Sequence, residues 1–210
     1  MKSEVTLYGH YDSPYVARVI WMLEECGFKY SFKEVDLAKG EQRSDSFLKL
    51  NPCGTVPLLQ IDGENLWDSV AILRYLSSRK KFLYYDVNPL KQAKIDGALA
   101  FASDSIGEPI SKLCWQRYWK EKLGAGPIDE PYCKRLENEL SYNLPLLEQL
   151  IGSSGYLCGE FSIADISAYP LIALFERSRV SLEDYPKVLT WIEKIKKRPS
   201  LEKVLYSVDL

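Results

Sequence analysis

The sequence is short of the residue types that many kinds of chemistry need. It holds one histidine, His10, and two methionines in 210 residues. A zinc centre would have to rest on cysteine or carboxylate ligands at metal spacing, and no such spacing is present, so no metal is expected. The five cysteines, Cys26, Cys53, Cys114, Cys133 and Cys158, are odd in number and widely spread, with no Cys-x-x-Cys pair. A chain of this size builds a core without staples, so the pattern fits free thiols in a reducing cytoplasm rather than a disulfide framework. Charge of one sign is lacking too. Lys and Arg number 27 against 29 for Asp and Glu. That excludes a globally basic nucleic-acid binder and gives no attraction to an anionic membrane. No apolar run nears the length of about 18 residues that a bilayer span needs, and MKSEVTLYGHYDS lacks the apolar stretch of a secretory signal.

What is present is enough apolar material to fold. Hydrophobic residues are 46% of the chain, which argues against disorder, and the length suits one large or two small domains. Residues 4–9 read as a strand. Ser13 and Pro14 then open a helix, Ser13 as its cap and Pro14 at the first helical position, with Val16, Val19, Ile20 and Leu23 as its apolar face and Gly27 as its stop. Residues 28–35 alternate as a second strand, a polar connection follows to Arg43, and a short helix covers 44–50. After the Asn51-Pro52-Cys53-Gly54 turn, 55–61 reads as a strand with Pro57 near its start, which a central strand interior would reject. Asp62-Gly63 is a hairpin signal, 64–67 is the returning strand, and Asp68-Ser69 heads an apolar-faced helix. The order β-α-β-α-β-β-α within 1–79 predicts a small mixed sheet between helices, an α/β domain.

Beyond a linker at 80–89 the texture becomes helical. Blocks near 90–121, 132–150, 163–178 and 187–197 are separated by glycine and proline clusters, so 90–210 is predicted to be an all-α domain that shares an apolar interface with the first. Ser162 and Asp165 stand at the cap and third positions of a helix, with Phe161 and Ile166 where a hydrophobic staple would sit. Pro170 should bend that helix. This is a folding signal, not a catalytic one.

Taken together, Tyr8-Gly9 through Ser13-Pro14, then DLAKGEQRSDSFLKLNPCGTVPLL, LWDSVAILRYL and FSIADI resemble the cytosolic glutathione S-transferases over essentially the whole chain. The spacing is most similar to their serine-type classes of plants, bacteria and insects (phi, tau, theta or delta). The resemblance implies an N-terminal thioredoxin-like domain, a helical C-terminal domain and a homodimer. It implies transfer of the glutathione thiolate to electrophilic, mostly apolar substrates, with no metal or redox cofactor. Close alternatives are glutathione-dependent peroxide reduction, isomerisation or dehalogenation. A non-catalytic protein-interaction module of the same fold is a further one.

By that resemblance Ser13 touches the glutathione sulfur, with Tyr8 and Tyr11 as rivals and a plain helix cap as the bland reading. A serine hydroxyl is too weak a base to take the proton, but it can donate to a thiolate, and the helix start adds N–H groups and a favourable field. Thr55, Val56 and Pro57 match the segment in which a cis proline follows a residue whose backbone pairs with the cysteinyl unit. Asp68 and Ser69 match the pair that meets the γ-glutamyl end, although the family usually has Glu or Gln where Asp68 stands, one methylene longer. Gln42 and Arg43 match residues that face the glycyl carboxylate, and Lys39 is a substitute for either. Arg18 is assigned a structural ion pair instead. Cys53 lies near the site, but serine rather than cysteine at position 13 argues against disulfide exchange. His10, Tyr11, Trp115 and Trp119 are the expected lining of an electrophile pocket between the domains, the two tryptophans four apart on one helical face.

Overall fold

The computed structural model describes residues 5–80 and 88–205, which form two compact units, 5–80 with 199–205 and 88–198. Most of the expected linker, 81–87, lies outside the described residues.

The first unit is built on β1 (Val5–Gly9), α1 (Pro14–Glu25), β2 (Ser31–Glu34), a 3-10 turn at Glu41–Arg43, α2 (Asp45–Leu48), β3 (Leu58–Ile61), β4 (Glu64–Trp67) and α3 (Ser69–Lys80). The order is the thioredoxin-like β-α-β-α-β-β-α. Among the described residues the sheet has four strands in the order β2-β1-β3-β4, with β2 parallel to β1 and the other neighbours antiparallel. Two strands are shorter than the sequence suggests. The second begins at Ser31 rather than residue 28. The third begins at Leu58, so Pro57 stays outside the ladder, where its missing N–H costs nothing. Central β1 is buried on both faces. Leu7 opposes Leu59, both fully buried, while Tyr8 opposes Leu58 and packs with Val35 and Phe47 on the α2 side.

The second unit contains α4 (Pro89–Ala100), α5 (Glu108–Cys114), α6 (Lys120–Leu123), α7 (Glu130–Leu150), α8 (Ile163–Ile172), α9 (Leu174–Arg177) and α10 (Pro186–Lys196). The block expected as one helix from 90 to 121 carries two π-helical stretches, Phe101–Gly107 and Trp115–Trp119. The first has a cause in the sequence. Pro109 has no N–H to give to Ser105 C=O four residues back, and the side-chain amide of Asn143 on α7 donates to that carbonyl at 3.1 Å. Gly107 permits the close approach there, since a Cβ would lie 2.7 Å from Leu171 of α8. The block expected over 163–178 is divided at Ala173, three residues after Pro170.

The capping box is formed. The Ala164 N–H donates to Ser162 Oγ (3.3 Å), and the Ser162 N–H donates to Asp165 Oδ2 (2.9 Å). Asp165 is fully buried, and its Oδ1 also accepts from the Leu157 N–H and from Nε1–H of the buried Trp191 of α10. One carboxylate thus ties two helices and the preceding loop together.

The sequence reading placed everything after residue 90 in the helical domain, and the structure corrects it. A further helix, α11 (Pro199–Leu205), packs on α1 and belongs to the first unit. Trp21 Nε1–H of α1 donates to Ser200 Oγ at 2.9 Å, Ser200 donates to Glu25, and Leu201 and Val204 are fully buried. The helix went unread because its apolar positions are few and its anchor is a polar contact across the chain.

Candidate functional site

The register of the sheet gathers the candidate residues. Gly9 pairs with Glu34 in parallel, Tyr8 with Leu58 and Leu58 with Trp67 in antiparallel. The C-terminal ends of β1, β2 and β4 and the N-terminal end of β3 therefore share one edge of the sheet. The chain leaves or enters that edge at His10–Ser13, at the polar connection carrying Gln42 and Arg43, at Thr55–Pro57 and at Asp68–Ser69. Four segments far apart in sequence converge because the strand pairing leaves them no other place.

Ser13 caps α1, and its Oγ accepts from the Val16 N–H at 3.4 Å. A hydroxyl that accepts there still has its own proton to donate. The residue is 9% exposed, with Pro14 at the first helical position. Gly9 is required beneath it, because a Cβ would sit 2.5 Å from Val16. Both readings of Ser13, cap and donor, are compatible in this geometry.

The rival tyrosines are placed differently. Tyr8 OH donates to Gln60 Oε1 (2.7 Å) and accepts from Lys33 Nζ (3.1 Å), on the α2 side of the sheet. Tyr11 is exposed and stacks on Phe32 with ring centroids 4.4 Å apart. His10 accepts the Asp12 N–H on Nδ1 at 3.2 Å, and its carbonyl accepts from the Ser13 N–H, which shapes the turn into α1. Trp115 and Trp119 lie in the second unit. Trp115 is 46% exposed, and Trp119 meets the edge of Tyr118. The π-helical stretch they bracket turns Gln116 inward instead, where its Oε1 accepts from the Asp129 N–H.

The Val56–Pro57 peptide is cis. The loop before it is held by Asn51, fully buried. Its Nδ2 donates to Thr55 C=O at 2.7 Å and its Oδ1 accepts from the Cys53 N–H at 3.0 Å. Asn51 escaped the sequence reading, where Asn-Pro-Cys-Gly marks only a turn. Its buried two-ended amide is visible only once the loop is folded.

Asp68 adopts φ +69°, a left-handed conformation that is uncommon outside glycine and worth asking a reason for. It caps α3, Oδ1 accepting from the Ala71 N–H at 2.9 Å, which leaves Oδ2 for another donor. Ser69 is buried at the first helical position. Arg18, almost wholly buried, has Asp68 and Tyr15 as its electrostatic neighbours. Burial pulls its guanidinium down to about 10, so it stays charged at neutral pH. The acidic neighbour assigned to Arg18 from sequence is therefore a candidate site residue, a link the sequence did not reveal.

Lys39 is turned away from the role of substitute. Its ammonium pairs with Asp36 at 2.8 Å. Gln42 Oε1 is buried and makes no hydrogen bond among the described residues. Arg43 Nη1 donates to Cys53 C=O at 3.2 Å. None of the five cysteines is in a disulfide, Cys53 is exposed, and burial raises the Cys26 and Cys158 thiols to about 11. Among the described residues no group of three or more His, Cys, Asp or Glu is placed to hold a metal, and no helix is long and apolar enough to cross a membrane.

The family model for the glutathione S-transferase N-terminal domain matches residues 3–78, and that for the C-terminal domain matches residues 119–207. The chain belongs to the glutathione S-transferase family. A probable glutathione S-transferase of rice (Oryza sativa subsp. japonica) is 31% identical over 94% of both chains. Glutathione S-transferase 3 of Zea mays is 31% identical over 97% of this chain and 94% of its own. Among solved structures, glutathione S-transferase-I bound with lactoylglutathione superposes with a TM-score of 0.88 at 27% identity, covering 98% of this chain and all of the other. Ser13, Gln42, Arg43, Thr55–Pro57, Asp68 and Ser69 all belong to the first unit.

Proposed function

We propose that this glutathione S-transferase binds glutathione along the sheet edge and transfers its thiolate to an electrophilic, mostly apolar carbon centre. It would do so in the cytoplasm, as a homodimer, in the manner of a detoxifying alkyl or aryl transferase. The observation that carries this reading is the Ser13 hydroxyl. It stands at the start of α1, accepts a long hydrogen bond from the Val16 N–H and keeps its own proton to donate.

The chemistry follows from the parts. The sulfur lies against Ser13 Oγ–H at the start of α1, where the field of the helix favours the anion. An oxygen that already accepts a hydrogen bond is a better donor, because the two bonds polarise each other. The cysteinyl backbone pairs with the Val56 backbone in the manner of two paired strands. The γ-glutamyl carboxylate meets the Ser69 N–H at the start of α3 and the ammonium meets Asp68 Oδ2. Gln42 faces the glycyl end. Its buried amide oxygen is an acceptor left open at a cost of about 1–3 kcal/mol, which a peptide N–H would relieve. The Tyr11 ring offers an exposed apolar face beside the sulfur for a flat co-substrate. Thiolate stabilisation and proximity then supply the acceleration.

Retention on immobilised glutathione together with turnover of a generic aryl halide tests the proposal. Retention without turnover of aryl halides, peroxides or isomerisable substrates would favour a non-catalytic module. Absence of binding at millimolar glutathione would remove the reading altogether.

A further inference from the structure

The polar turn at Gln42-Arg43 holds two residues whose situations differ. Gln42 has open hydrogen-bonding capacity at a buried oxygen. Arg43 is already engaged with protein. Its Nη1 donates to Cys53 C=O at 3.2 Å. The next residue, Gly54, is in the left-handed region at φ +58°, and a Cβ there would lie 2.9 Å from Arg43 Nη1, 3.0 Å from Arg43 Cδ and 3.0 Å from the Gln42 carbonyl. The two strands of chain are thus clasped, with the arginine stem lying on bare backbone. The clasp continues inward. The Gly54 N–H donates to Asn51 C=O at 3.0 Å, the Cys53 N–H donates to Asn51 Oδ1, and Asn51 Nδ2 donates to Thr55 C=O. From Arg43 to Thr55 there is an unbroken chain of bonded groups, and Thr55 is followed by Val56.

We infer that Arg43 is a positioning residue rather than a carboxylate ligand: its guanidinium locks the Gln42 turn to the Asn51–Val56 loop, so that both address the same peptide. This rests on the glutathione-binding reading above. Physically, a guanidinium that gives one N–H to a carbonyl and packs its stem along a glycine sets the spacing of the two loops. Losing it lets them drift, which weakens every contact made by Gln42 and Val56 and not the glycyl contact alone.

The test uses the full chain and two probes, glutathione and its glycyl monoethyl ester, which lacks the terminal negative charge. Their affinities are measured by titration calorimetry for the wild type, Arg43→Ala and Gln42→Ala, with thermal melts as a control on folding. A positioning role makes Arg43→Ala weaken both probes by the same factor, about two- to tenfold, the size of one lost hydrogen bond. Gln42→Ala, whose Oε1 meets a peptide N–H that both probes keep, weakens both alike as well. A loss in Arg43→Ala that vanishes with the ester makes Arg43 a carboxylate ligand and overturns the inference alone, as does an unchanged affinity for both. A wild type that binds neither probe overturns the inference together with the glutathione reading beneath it.

Discussion

Replacement of Ser13 by alanine puts the thiolate mechanism to its most direct test. The variant removes one hydrogen bond to an anion, worth about 1.5–3 kcal/mol. At about 1.36 kcal/mol per unit, the bound thiol should rise by about one to two pKa units. Take a glutathione thiol lowered from about 8.5 to about 6.5 when bound, and returned to about 8 by the substitution. At pH 6.5 the ionised fraction then falls from about one half to about 3%, and conjugation slows about fifteenfold. At pH 9 both enzymes hold almost all of the sulfur as thiolate, so the ionisation deficit nearly vanishes. A thiolate about 1.5 units more basic is also about four- to sixfold more nucleophilic, which trims the deficit at pH 6.5 to about three- to fourfold and turns it into a gain at pH 9. The signature is therefore a rate deficit that depends on pH, read from kcat with a generic aryl halide at saturating glutathione. A parallel ultraviolet titration of the bound thiolate gives the shift itself. The lost cap should matter little, because the Val16 N–H reaches Ser13 Oγ only at 3.4 Å. A deficit of the same size at every pH, with an unmoved titration, would refute the reasoning and leave Ser13 as a helix cap.

Other outcomes follow from the same geometry. Tyr8→Phe should leave the thiol titration and the turnover number unchanged, since the Tyr8 hydroxyl is committed to Gln60 and Lys33; a large loss of turnover would restore a tyrosine to the mechanism. Asp165→Ala strips the acceptor from the Leu157 and Ser162 N–H groups and from Trp191 Nε1–H, and should destabilise the fold by about 3–5 kcal/mol in denaturant titrations. Asn143→Leu takes the donor from Ser105 C=O and should cost about 1 kcal/mol, checked in the same way. Alkylation at pH 8 with peptide mapping should label exposed Cys53 first. Cys26 and Cys158, raised to about 11, should react slowly and speed up with each step of pH towards that value.

Much of this was legible in the sequence because local signals and function agree. Ser13-Pro14 announces a helix start whatever the residue does chemically, and Asp62-Gly63 fixes the hairpin that places Asp68 and Ser69 on the same edge as Pro57. Ser162 with Asp165 could be read as a box because all its partners lie within four positions. What escaped is non-local. Nothing near Arg18 points to Asp68, fifty residues on. Asn51 looks like any turn residue until its amide is buried. The first π-helical stretch depends on Pro109 leaving the Ser105 carbonyl to Asn143 of another helix, and a periodicity count sees only a helix. The tryptophans at 115 and 119 share a helical face on paper, yet Gln116 is the residue turned inward. Gln116 is held there by the Asp129 N–H, a partner thirteen residues on that a helical wheel does not carry.

The return of α11 to α1 also bears on how the protein is made. The bond from Trp21 to Ser200 spans 179 residues, so the first unit cannot be finished as it leaves the ribosome. Domains are generally completed in the order they are synthesised, yet here the first unit must wait for α11, which is made after the whole of the second unit. Until then the α1 surface that Leu201 and Val204 will cover is open to chaperones and to other nascent chains.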